Sequence, residues 1–234
     1  MTLPVVTVVD TGVDDALALV IAARAPSLEL CAVVCTAGNV SLDRVLVNTR
    51  LVLSLLRCDV PVGMGAEHRL DGTPFPERAV HGTDGLAGMA RMAAMAGPAS
   101  AGGSRSLLAA DVVPADAFVV SLGPLTPMVG LAAGRVVASY ARPGEVNYAM
   151  DPKAADAVTY EPVDVPPHSV SKAAVGAAGS GGGSLHRLVS ALLAHRITRG
   201  TGLGDAAVML MLAEPALEPA EWAHRLVELA GTEH

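Results

Sequence analysis

Apolar positions along this chain follow two alternating rhythms. VVTVV (5–9) is a continuous apolar run of strand length, and Asp14 to Arg24 carries apolar residues at helical spacing. LELCAVVCT (28–36) is a second strand-like run. Ser41 to Leu56 places apolar residues at 42, 45, 46, 53 and 56, a helical pattern with Ser41 as its N-cap. VPVGMG (60–65) predicts a short strand and loop. AFVVSLGPL (117–125) predicts another strand, ending at Gly123-Pro124. Continuous apolar strands alternating with helices predict an α/β protein, with an open, mostly parallel sheet flanked by helices and right-handed crossovers. In such sheets ligands bind at the carboxyl ends of the strands. Polar residues fall there: Asp10 after the first strand, Asn39 after the second, and Thr126 after the strand at 117–122.

Composition narrows the picture. The 234 residues suit one domain, 1–234, and 51% of them are hydrophobic, with one Trp, three Tyr and two Phe. The core must therefore be Val, Leu and Ala. A net charge of −7 without a basic cluster argues against nucleic acid and suits a cation site. The N-terminus has no basic, cleavable leader, and no apolar run reaches the roughly 18 residues of a membrane span, so a cytoplasmic protein is expected. Three cysteines fit a reducing compartment. Cys31 and Cys35, four apart in one strand, are expected on one face as buried structural thiols. GPASAGGS (97–104) reads as a loop and GAAGSGGGS (176–184) as a flexible connector. The latter lacks the GxxxxGK(S/T) spacing of a phosphate cradle. No internal repeat is present.

The chemistry concentrates in VVTVVDTGVDDALALV (5–20). Asp14 and Asp15 at the start of a helix serve as a cap and first-turn charge, favoured by the positive helix end. Capping does not account for Asp10, brought close across a glycine turn. Gathered carboxylates raise one another's pKa unless a cation neutralises them. A hard divalent ion, Ca²⁺ or Mg²⁺, suits oxygen ligands.

VVDTGVDDALAL resembles the DxDPGxDDAxAL signature of the inosine–uridine-preferring nucleoside hydrolase family. The likeness continues in order: TAGNVSLDR (36–44) is similar to its AGN segment, HGTDGLAG (81–88) to HGxxGL, and SLGPLTP (121–127) to GPLTN. EVNYAMDPKAA (145–155) resembles EFNxxxDPEAA, and LGDAAVML (203–210) stands where the family has HDPxA. The resemblance implies a shortened version of the Rossmann-like nucleoside hydrolase fold, and hydrolysis of a ribonucleoside to free base and ribose. By the same resemblance, Asp10, Asp15, the Thr126 carbonyl and Asp205 would hold Ca²⁺. Asp14, Asn39, Glu145 and Asn147 would hold ribose hydroxyls, or Glu145 and Asn147 are surface or turn residues. Asp10 would also be the general base toward a water held by the metal. A homodimer or homotetramer is expected by analogy.

The sequence departs from the family pattern at Val8, Thr11, Pro127, Gly204 and Ala206. Gly204 replaces a His that helps the base depart, so His81 becomes the first candidate for that role. His168, His186 and His195 read as surface residues, and Tyr148 as a residue packing near the base. The segment between Thr126 and Glu145 looks too short for the family's extra strand, and 165–200 looks compressed. Three other readings stand beside hydrolysis: a ribose- or nucleoside-binding protein that lost turnover, altered ribosyl transfer or C-ribosyl chemistry, and, more remotely, a Mg²⁺-dependent phosphatase. The last lacks a nucleophile-plus-Lys arrangement.

Overall fold

The computed structural model describes residues 2–76, 79–90, 107–131, 133–139, 145–179 and 183–231. Seven strands form one sheet in the order β4-β3-β2-β1-β5-β6-β7, with every pairing parallel. They are β1 (Leu3–Val9), β2 (Leu28–Cys35), β3 (Val62–Met64), β4 (Leu107–Leu108), β5 (Phe118–Ser121), β6 (Arg135–Ser139) and β7 (Glu161–Val163). From β1 the chain moves outward through β2 and β3 to β4, then returns to the other side of β1 with β5. That reversal makes the carboxyl end of β1 a switch point, where the connections on the two sides of the strand diverge and leave a crevice.

Helices cover both faces unequally. The larger cluster packs α1 (Val13–Arg24), α2 (Leu42–Leu56), α7 (Ser184–Arg199), α8 (Asp205–Ala213) and α9 (Trp222–Gly231) against Val5, Val9, Val33, Val120 and Val137. The smaller one buries Val6, Val8, Ala32, Val34 and Val119 under the short helices α3 (Ala109–Val112) and α5 (Pro152–Ala157). Val8, where the family has an aspartate, is thus a core residue. Thr11, where the family has proline, is fully buried, and its hydroxyl is satisfied by Thr49 Oγ1 at 2.6 Å.

The strands and helices expected from the apolar rhythm are present, with ends shifted by a few residues. The strand of the 117–125 run ends at Ser121, just before the Gly123-Pro124 turn where its end was expected. Four expectations fail. The segment before Glu145 does contain a strand, β6, since Val136 and Val137 suffice to pair with β5. The 165–200 region holds two helices, α6 (Lys172–Gly179) and the 16-residue α7. Residues 176–179 of the supposed connector belong to α6, whereas 180–182 and the loop at 97–104 lie outside the described residues. Cys31 and Cys35 do not share a face. The β1–β2 register jumps from Val5↔Leu30 to Val6↔Ala32, and this extra residue inverts the alternation. Cys35 joins the larger core and Cys31 borders the smaller one; all three thiols are free, and only Cys35 is fully buried.

Candidate active site

Two helix N-termini meet the ends of three strands at the switch point. Asp10 directly follows β1 and is 1% exposed; its Oδ2 accepts the Asn39 amide N–H at 2.8 Å from the β2 end. Gly38 lies so close that a side chain there would drive its first carbon into the Asp10 carboxylate. Asp14 and Asp15 occupy the first turn of α1, where Asp15 Oδ2 accepts the Gly12 N–H at 2.8 Å. Asp205 opens α8, which packs beside α1. One oxygen from each of Asp14, Asp15 and Asp205 lies within 4.8 Å of the others. Carboxylates separated by some 190 positions meet because both helices present their positive ends to one crevice.

Buried together, these groups disfavour ionisation. Burial pushes Asp10 up to about 7, opposed in part by the Asn39 N–H. Asp15 is raised well above its ordinary value by burial, then by the Asp10 charge, then by that of Asp14. Asp10 therefore adjoins the trio although it is not one of its members. Asp14 Oδ1 and Asp15 Oδ1 are buried with no hydrogen-bond partner. Two orphaned carboxylate oxygens facing a third carboxylate fit a divalent cation.

The cavity above them encloses about 550 Å³, within the range of small-molecule sites. Asn39, Glu145 and Asn147 line it. Glu145 caps α4 (Val146–Met150) by accepting the Tyr148 N–H at 2.9 Å. Asn147 Nδ2 donates to the Leu122 carbonyl at 2.7 Å. Thr126 does not line the cavity, and its hydroxyl donates to Asp151 at 2.9 Å. The β5 loop turns at Gly123-Pro124, so Leu122 is the residue it presents to the cavity. Tyr148 packs on the smaller core, its hydroxyl on Asp156, away from the cavity.

His81 lines the cavity and is buried. Its Nδ1 is 3.7 Å from Asp14 Oδ1, but that nitrogen accepts the Val13 N–H at 3.0 Å. It therefore has no proton for Asp14, and the pair is not an ion pair. Burial lowers the His81 pKa, so the ring is neutral near pH 7. His168, expected on the surface, lines the cavity as well: Nδ1 engages the Pro166 carbonyl at 2.9 Å, and Nε2 accepts the Leu203 N–H at 2.6 Å. His186 and His195 do not line it. Arg196 escaped the sequence reading, being one basic residue among several in α7. Its Nη1 donates to Asp14 Oδ2 at 3.2 Å and its Nε to the Gly202 carbonyl at 2.5 Å. Gly204 stands beside both.

An open parallel sheet with carboxylates, amides and a guanidinium gathered at its switch point defines an α/β enzyme cleft. The profile of the inosine-uridine preferring nucleoside hydrolase family matches residues 5–135, more than half of the chain, and the chain belongs to that family of glycosidases. It is 27% identical over 263 residues to a non-specific ribonucleoside hydrolase, RihC, of Klebsiella pneumoniae subsp. pneumoniae, an alignment covering 99% of this chain and 86% of that protein. A protein of the same name from Escherichia coli (strain SE11) is 34% identical over 130 residues, 54% of this chain and 42% of that one. Among solved structures, a purine-preferring ribonucleoside hydrolase from Gardnerella vaginalis superposes with a TM-score of 0.77 at 18% identity, covering 97% of this chain and 99% of that one. The plant nucleoside hydrolase PpNRh1 gives 0.73 at 20%, covering 99% and 98%. At these identities the likeness establishes the fold. No helix among the described residues is long and apolar enough to cross a membrane.

Proposed function

We propose that the chain hydrolyses the N-glycosidic bond of a ribonucleoside, giving free base and ribose, with Ca²⁺ as its cation. One observation carries this reading: the meeting of Asp14, Asp15 and Asp205, with buried orphaned oxygens, beside Asp10. Asp15 and Asp205 would be the core ligands, with Asp10 and Asp14 adjoining them. The Leu122 carbonyl replaces that of Thr126 as the main-chain candidate. When bound, the cation polarises water and grips vicinal hydroxyls, as a hard ion of loose coordination geometry does.

The side chains supply the rest. Breaking the C1′–N bond builds positive charge on the sugar ring, and the surrounding carboxylates stabilise it. Asp10, held in place by the Asn39 amide, takes a proton from the attacking water. Asn39, Glu145 and Asn147 orient the ribose hydroxyls. Gly204, where the family has His, favours a second reading: a nucleoside-binding protein without turnover. A panel of ribonucleosides assayed for reducing sugar, with Ca²⁺ and with chelator, separates the two. Calcium-dependent release supports hydrolysis; ribose binding with no nucleoside cleaved refutes it.

A further inference from the structure

The cleft as described handles the sugar and the water but names nothing for the departing base. Position 204 carries no side chain. His168 has both ring nitrogens engaged, and His81 is neutral with one nitrogen taken by the Val13 N–H. Arg196 is different. It is 8% exposed, lines the cavity, and carries a planar guanidinium, a fixed positive charge. Its Nε and Nη1 are anchored to Gly202 and Asp14. A side chain at 204 would place its first carbon 2.9 Å from Nη2 and would also collide with Asp14 Oδ2. The guanidinium thus occupies the room that a residue at 204 would need, next to the Asp14 expected on the sugar.

We propose that Arg196 is the leaving-group residue of this site: its guanidinium stabilises the base as it departs with the bonding electrons. The inference rests on the hydrolase reading above. The C1′–N bond breaks and its electron pair passes to the base, which leaves as an anion against Arg196. Water oxygen bonds to C1′, and the proton it sheds goes to Asp10. The base anion then takes a proton from solvent, so one water is consumed and base and ribose are released. The site would thereby favour nucleosides whose base carries acceptor atoms able to hold negative charge.

The test compares inosine, a nucleoside with a poor leaving group, with 4-nitrophenyl β-D-ribofuranoside, whose leaving group needs little help. Arg196→Gln is expected to lower kcat/KM for inosine about 100-fold or more and for the nitrophenyl riboside only several-fold, with Arg196→Lys in between. Equal losses on both substrates would overturn the assignment, leaving Arg196 as a support for Asp14. Wild-type enzyme provides a measurement independent of variant folding. Its inosine-to-nitrophenyl ratio of kcat/KM should stay constant from about pH 5 to about pH 8, below the ionisation of inosine's own N1–H, because a guanidinium supplies a fixed charge while titrations shared by the two substrates cancel. A ratio that falls through a titration would assign the role to an acid such as His81 and overturn the proposal. Wild-type protein inert on both substrates refutes hydrolysis itself, and Arg196 with it, a result distinct from parallel losses in the variants.

Discussion

The floor and the wall of the cleft are built by different means. The floor consists of Asp10, Asp14, Asp15, Asn39 and Asp205, each at a strand end or in the first turn of a helix, held by main-chain donors such as the Asn39 and Gly12 N–H groups. The wall consists of Arg196, Gly202, Gly204, His168 and the Val165-Pro166-Pro167 segment, assembled from one helix and two loops. A side chain fixed by backbone geometry is positioned as soon as its strand or helix forms. A side chain such as Arg196 is positioned only when α7 packs against α1. The floor can therefore stay constant while the wall changes, and here the wall carries a glycine at 204 with the Arg196 guanidinium filling the space beside it.

The division yields tests of graded size. Asp10→Ala removes the floor carboxylate that accepts the Asn39 main-chain N–H; kcat, measured as released reducing sugar, should fall about 10³-fold or more. A variant retaining full activity would remove Asp10 from the chemistry. Asp205→Asn should raise the Ca²⁺ concentration for half-maximal activity by at least about 10- to 100-fold, while circular dichroism and the metal-free Tm stay near wild type. An unchanged calcium response would separate Asp205 from the cation.

A third test uses pH on metal-free protein. Asp10 titrates at about 7 in the folded state against 3.8 when exposed, and Asp15 shifts the same way. Between these values the folded chain binds more protons than the unfolded one. This contribution to stability is full below 3.8 and is lost as pH rises through about 7. The metal-free Tm should therefore decline from pH 4.5 to 7.5, and added Ca²⁺ should raise it more at the higher pH, as thermal melts would show. A Tm that rises across this window would contradict the raised carboxyl pKa values that burial imposes on the floor. The smallest effect belongs to the wall. Gly204 adopts φ 59°, ψ −126°, open essentially to glycine alone. Gly204→Ala should cost about 1–3 kcal/mol through strain and the collision with Asp14. That predicts a Tm lower by several degrees, with no gain in activity.

Much of the floor was legible in the sequence. Carboxylates that follow an apolar run and precede a helical pattern must lie at a strand end and a helix start, and the rhythm predicted both elements. Leu122 was missed in favour of Thr126 because Thr126 was carried over from the family resemblance, and only the folded loop after β5, turning at Gly123-Pro124, shows that Leu122 is the residue facing the cavity. The single-residue bulge between β1 and β2 was equally invisible, yet it separates Cys31 from Cys35.

Sequence by itself therefore determined the parallel α/β architecture and the acidic residues at its switch point, since apolar period, chain reversals and local capping are properties of neighbouring positions. Tertiary structure alone decided which groups touch. The Arg196–Asp14 pair spans 182 positions. Its formation depends on how α7 packs on α1 and on the empty side-chain space at Gly204, and no local pattern of the chain encodes either.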